Sequence, residues 1–214
     1  MLRASSHRYQ GTSNMTHRHF LASLLLVATA AAAQAAVTDA SLDAATAAVM
    51  PQVINWRRDF HQHPELSNRE FRTSKIVAEQ LRQMGIEVQS GSAQTGVVGI
   101  RRGGKPGPTI ALRSDMDALP VTEQGSLPFK STATSEYRGE KVGVMHACGH
   151  DGHMAILLGA AKVLAGMRNE LPGTVMFIFQ PAEEGAPDGE RGGASPMLDE
   201  GLFARTQPDA VFGP

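Results

Sequence analysis

The 214-residue chain contains one cysteine, Cys148, so no internal disulfide can form. It has no charge excess. Its 20 Lys and Arg against 21 Asp and Glu give a net charge of −1, which leaves no electrostatic footprint for nucleic acid. None of its histidines is followed by glutamate, so the HExxH arrangement of zinc proteases is excluded. A second cysteine for the CxxC pair of a zinc deaminase is missing too. There is no internal repeat. What remains, 42% hydrophobic and 19% charged, is ordinary for a globular protein with one core.

The first 35 residues stand apart. Arg3, Arg8 and Arg18 precede an apolar run, Phe20 to Ala33, and Ala33-Gln34-Ala35 supplies small residues flanking one position. This is the layout of a secretory signal peptide cleaved near Ala35, and the run is short for a bilayer span. Met15 is an alternative start to Met1. Cleavage would remove three Arg and no acid, leaving 17 basic and 21 acidic residues, about −4. A periplasmic or secreted protein is expected, with no membrane attachment after cleavage; the competing reading is an uncleaved anchor. A free thiol in that oxidising setting is better tolerated when a metal holds it.

Beyond the leader, Ser41–Met50 is Ala-rich and reads as a helical segment within residues 36–50. Gln52–Phe60 continues a helical pattern. Asn68–Met84 places Phe71, Ile76, Val77, Leu81 and Met84 at amphipathic-helix spacing, and Gly85 ends it. Val97–Arg101 and Thr109–Leu112 read as strands, with the Gly103–Pro108 turn making them a hairpin. Gly99–Pro106 approaches a phosphate-loop pattern. Pro106 stands where a magnesium-binding hydroxyl belongs, however, and a strand follows, so the turn reading prevails. Gly143–Met145 reads as a short strand. Asp151 is placed to cap a helix running to Met167, with Met154, Leu157, Leu158, Ala161 and Leu164 on one face. The run Val175–Phe179 reads as a central strand buried on both faces. Ser195–Leu202 is a short helix and Ala210–Phe212 begins another strand. Such alternation argues for an α/β layered domain.

Three clusters follow strands in this reading, where open α/β sheets form their sites. They are Arg113-Ser114-Asp115-Met116-Asp117, then His146-Ala147-Cys148-Gly149-His150-Asp151-Gly152-His153, then Gln180-Pro181-Ala182-Glu183-Glu184. Each alone has an ordinary reading: adjacent glutamates as solvated surface, a lone cysteine as a small buried hydrophobe, acids after a strand as helix caps. Their recurrence after three strands favours a site. Cys148 and His150 flank Gly149, so an extended stretch turns both to one side. Thiolate, imidazole and carboxylate together suit zinc, manganese, cobalt or nickel rather than calcium. Of the adjacent Glu183 and Glu184, one can ligate while the other takes a proton from a metal-activated water.

The stretches RRDFHQHPELSNRE, TGVVGIRRG, ALRSDMDALPV, GVMHACGHDGHMAILLGAA and FIFQPAEEG, from about residue 52 onward, resemble a known group of amidohydrolases. It includes bacterial hippurate hydrolase, plant indole-acetyl-amino-acid hydrolases and the wider aminoacylase/carboxypeptidase di-metal peptidases. The resemblance implies a phosphorylase/hydrolase-like mixed sheet flanked by helices, with residues 51–214 as the N-terminal part of the catalytic domain. It implies two divalent metal ions, with Cys148 bridging them and His150 and Glu184 as further ligands. It makes Glu183 the general base and Asp117 a supporting acid. His146, Asp151 and His153 become supports of the ligands or structural groups. His61, Pro64 and Glu65 become structural, and His63 a surface histidine. The implied reaction hydrolyses the amide of an N-acyl amino acid, or of a dipeptide in the rival reading, by a metal-held water. The full-length form allows a homodimer.

The chain departs from that pattern in one respect. The group's members are about twice as long, with a lid or dimerisation domain, and carry histidine ligands beyond residue 214. Here no histidine follows His153. The expectation is therefore a truncated form, a remnant that binds metal weakly and turns over little alone.

Overall fold

The computed structural model describes residues 37–214. The expected signal peptide, its cleavage site and the alternative start lie outside the described residues. Helix α1 (Asp39–Gln62) joins the two expected helical stretches across Pro51. Thr38 and Ser41 close a reciprocal capping box at its start.

Helix α2 (Phe71–Gln83) begins three residues later than the periodicity predicts, because Asn68 takes a left-handed φ of 59°. Its cap comes from outside: the Glu65 carboxylate accepts the N–H groups of Arg72 and Thr73 at 3.0 and 2.8 Å. Glu65 thus has a definite structural task. Gly85, at φ 69°, turns the chain out of the helix.

Five strands form one mixed sheet in the order β1-β2-β6-β3-β7. They are β1 (Glu87–Ser92), β2 (Gly96–Arg102), β3 (Lys105–Asp115), β6 (Pro172–Gln180) and β7 (Ala210–Phe212). Strands β1, β2 and β6 pair antiparallel, while β3 pairs parallel with both β6 and β7. The edge strand β1 escapes the sequence reading because EVQSGS carries one apolar residue, Val88.

The expected hairpin between β2 and β3 does not form; β6 lies between them. The glycine-rich link wraps the start of β6 instead of turning tightly. Gly103 and Gly104 donate to the carbonyls of Gly173 and Arg168 at 2.8 and 2.7 Å. A Cβ on Gly103 would stand 2.1 Å from the Leu171 oxygen, so only glycine permits this approach. The driving force is β6 itself. Val175 to Phe179 are all buried, and the middle of the sheet is where both faces of a strand leave water.

The main core fills one face of the sheet. There Trp56 and Phe60 of α1, Val77 and Leu81 of α2, and Met154 and Leu158 of helix α3 (His150–Gly166) meet Val97, Phe177 and Phe179. A smaller cluster on the opposite face joins Val98, Ala111, Met176 and Ile178 to Met197 of the short helix α4 (Ala194–Asp199).

Two further expectations are corrected. Gly143–Met145 is not a strand of the main sheet. Gly143 ends β5 (Glu140–Gly143), which pairs only with β4 (Thr134–Tyr137), and Met145 makes one isolated bridge to Leu119. Nor does Asp151 cap α3. Gly149 occupies the cap at φ 102°, and the buried Asp151 carboxylate is drawn instead to His61 Nδ1 at 2.8 Å and Arg57 Nε at 2.9 Å. Oδ2 serves these two partners, and among the described residues Oδ1 accepts only the adjacent Gly152 N–H, at 2.9 Å.

Candidate metal centre

Strands β3 and β6 run parallel and finish level, with Asp115 opposite Gln180. The residues that follow each strand therefore emerge side by side, Asp117 from one and Glu183 and Glu184 from the other. The first turn of α3 brings His150 to the same place.

His150 is 2% exposed, and its orientation is set by one bond: Nδ1 donates to the backbone carbonyl of Asp117 at 2.8 Å. That fixes the tautomer and leaves Nε2 as the free face. Around Nε2 stand Glu183 Oε2 at 3.6 Å, Asp115 Oδ2 at 3.7 Å and Glu184 Oε1 at 3.8 Å. Burial alone would lower the His150 pKa. The Asp117 side chain and carbonyl, with the charge of Asp115, outweigh it and raise the imidazole to about 9.

Asp117 is the support behind the site. Its Oδ2 accepts from Ser67 Oγ at 2.7 Å and from the Glu184 N–H at 2.9 Å. Burial opposes its ionisation, but these bonds and His150 hold its carboxyl below the usual range. One carboxylate thus positions Glu184 through its backbone while its own backbone positions His150.

Cys148 is exposed, whereas His150 is buried. A hydrogen bond to Glu184, with some burial and the surrounding acids, keeps its thiol above the ordinary pKa in the absence of a cation. A bound cation reverses that balance, because a coordinated thiol is deprotonated. The ligand atoms of Cys148, His150 and Glu184 all lie within 4.8 Å of one another. Ligands held at about 2.0–2.3 Å by a tetrahedral ion are roughly 3.3–3.8 Å apart. Closing the gap is therefore a small side-chain movement. Glu184 Oε1 and Asp117 Oδ1 are buried without a hydrogen-bond partner among the described residues. Orphaned anionic oxygens beside a thiol and an imidazole fit a divalent metal.

The Gln180–Glu184 loop is held by a group absent from the sequence reading. Ala182 has a left-handed φ of 52° and is buried. Its N–H donates to Glu70 Oε1 at 2.9 Å, while Glu70 Oε2 accepts from Thr95 Oγ1 at 2.6 Å. Burial raises the Glu70 pKa despite these bonds. A strained turn is kept by a buried carboxyl, and the turn aims both glutamates.

All five sequence-derived site residues, Cys148, His150, Glu184, Glu183 and Asp117, are brought together. Asp115, His150 and His153 form a second group of potential ligands, with Arg113 paired to Asp115. The spacing of His150 and His153 on one helix face was the available signal. His61 lies between two buried carboxylates, Asp151 at Nδ1 (2.8 Å) and Glu123 at Nε2 (3.3 Å). Glu123 sits in an irregular loop with no pattern to mark it. Burial holds His146 neutral, at about 4, with neither ring nitrogen partnered among the described residues. His63 is half-exposed and donates to the Asp59 carbonyl.

Residues 111–214 match peptidase family M20/M25/M40. The chain is 51% identical over 162 residues to thermostable carboxypeptidase 1 of Saccharolobus solfataricus, covering 75% of this chain and 38% of that protein. It is 45% identical over 157 residues to hippurate hydrolase of Campylobacter jejuni, covering 73% and 37%. The crystal structure of Bacillus subtilis YXEP, described as a dinuclear metal binding peptidase from the M20 family, superposes with a TM-score of 0.67. It is 43% identical and covers 78% of this chain and 43% of that one. The chain thus spans well under half the length of the relatives it matches. By sequence and fold alike, residues 111–214 match peptidase family M20/M25/M40.

Proposed function

We propose that this site is the metal centre of a hydrolase that cleaves the amide bond of N-acyl amino acids of the hippurate type. The observation that carries the reading is the convergence of Cys148, His150 and Glu184, with Glu183 beside them on the open side. Cys148, His150 and Glu184 would hold divalent ions, two in the complete family arrangement, drawn from manganese, zinc, cobalt or nickel. Such ions, when bound, polarise the scissile carbonyl and make water acidic enough to be activated near neutral pH. Glu183 is more exposed than Glu184, at 42% against 20% of the side chain, so it can meet both water and substrate. It would take a proton from the attacking water and return it to the leaving amine. Asp117 would keep His150 and Glu184 aligned without touching substrate. The apolar leader-like stretch supports export to the periplasm or medium.

A second reading, dipeptidase or carboxypeptidase action, is favoured by the 51% identity to a protein named carboxypeptidase. Assay with added manganese or zinc separates the two. Slow release of glycine from benzoyl-glycine, with free dipeptides left intact, is the expected result. Cleavage of dipeptides alone selects the second reading. No turnover of either, with metal bound, overturns both for this chain.

A further inference from the structure

Beside Glu184 lies a cleft of about 500 Å³ that Cys148 and His150 do not line. Its outer wall is the β4–β5 hairpin, a separate two-stranded unit with a two-residue turn at Arg138 and Gly139, both at positive φ. The other walls come from the loops around Leu66, Leu119 and Pro187. The metal ligands take no part in most of this surface.

We propose that this cleft is the acyl subsite: it receives the uncharged, preferably aromatic, acyl group of the substrate, with Tyr137 of the hairpin as its specificity-determining residue. The assignment rests on the acyl-amino-acid reading above and adds which end of the substrate lies where. Charge decides the end. The cleft is lined by two cations, Arg69 and Arg138, and three anions, Glu136, Glu184 and Asp188. Both cations already have partners: Arg69 binds Glu190 through two nitrogens at 2.5 and 3.0 Å, and Arg138 faces Asp188 at 3.7 Å. With Glu184 committed to a metal, two cations face two anions, so a substrate carboxylate would meet no unpaired cation among the described residues, which is unfavourable in a partly desolvated site. The apolar surface of Leu66, Leu119, Pro120, Tyr137 and Pro187 suits the other end. The volume falls within the range of about 300–1,000 Å³ typical of small-molecule pockets. An aromatic acyl group would also gain the ring of Tyr137, which is half-buried and has the Arg138 guanidinium 5.2 Å from its centroid.

Saturation-transfer NMR on the full chain, zinc-free and then zinc-loaded, tests this with N-benzoylglycine and N-acetylglycine as probes. The ring protons of benzoylglycine should receive at least threefold more saturation than its glycine methylene, and acetylglycine should compete poorly. Tyr137→Ala should at least halve the ring signal, and Ser135→Trp, which fills the cleft from the same hairpin, should remove it. Circular dichroism checks that each variant is folded, and if either is not, the proton ratio in the unaltered chain decides alone. Equal saturation of ring and methylene, no transfer at all, or an undiminished ring signal in folded Ser135→Trp overturns the assignment. Free glycine appearing in the zinc spectra reports hydrolysis separately. Ring-directed binding without glycine release defeats the hydrolase reading only, and glycine release without ring contact defeats the acyl subsite only.

Discussion

His150 Nδ1 donates to the Asp117 carbonyl at 2.8 Å, while the Asp117 carboxylate accepts the Glu184 N–H at 2.9 Å. Two metal-ligand candidates from distant parts of the chain are thus oriented by a single residue. Asp117→Asn should keep the backbone bond to His150 but weaken the hold on Glu184 and remove a buried charge. A loss of roughly 10–100-fold in zinc or cobalt affinity is expected, as for other groups that support ligands. Cys148→Ser should lose more than Asp117→Asn. Isothermal titration with each metal measures both, and an Asp117→Asn chain with unchanged affinity would show that Asp117 is not a support.

Metal removal should lower stability only where the ligands are intact. A ligand at 100 times its Kd stabilises the native state by about 2.7 kcal/mol. For a domain of this size that is roughly 5–10 °C in Tm. Excess zinc should therefore raise the Tm of the wild-type chain, and a chelator should return it. The Cys148→Ser melting curve should barely move, and an equal shift in that variant would place the metal elsewhere.

Glu70, which holds the turn carrying Glu183 and Glu184, offers a pH test of the fold. Its folded pKa lies above the unfolded value because burial disfavours the charge. The native state therefore holds this proton more tightly than the unfolded chain does. Glu70's contribution is fullest below about pH 4.5 and declines as pH rises through the folded pKa. Glu70→Gln cannot titrate, so wild-type stability should fall relative to this variant as pH rises above about 4.5. Glu70→Ala should cost roughly 2–4 kcal/mol, since the Ala182 N–H and Thr95 hydroxyl lose their acceptor. Urea denaturation across the pH range measures all three, and a wild-type gain with rising pH would contradict the assignment.

Gly173 marks the crossing that places β6 between β2 and β3. It has a φ of 74°, and a Cβ there would stand 1.9 Å from the Pro108 oxygen. Gly173→Ala combines left-handed strain with a backbone clash and should destabilise by roughly 2–5 kcal/mol. Gly166→Ala, where a Cβ meets nothing within 4 Å, is the control and should change little. Comparable urea midpoints for the two variants would show that the crossing tolerates a side chain.

Much of the architecture was legible because it rests on local pattern. The apolar run Val175–Phe179 announced a doubly buried strand, and the periodicity of α2 and α3 announced their inward faces, apart from Phe71, which is 62% exposed. The dense HACGHDGH stretch and the paired glutamates announced ligand chemistry from residue type alone. The β2–β3 hairpin misled because glycines that permit close backbone approach look the same in sequence as glycines that permit a turn. Asp151 misled because an acid at a helix start is equally a cap or a partner for a distant histidine.

What the sequence determined by itself was therefore the chemistry available: one thiol, clustered imidazoles, paired carboxylates, and enough apolar periodicity to bury a sheet under helices. Which of these groups meet was decided only by the tertiary structure. Parallel pairing of β3 with β6 sets Asp115 level with Gln180, and the His150–Asp117 bond turns one imidazole nitrogen toward Cys148 and Glu184. The reason is physical. Side-chain type is a local property of the chain, whereas a distance of a few ångströms between residues 31 or more positions apart is set by register and packing.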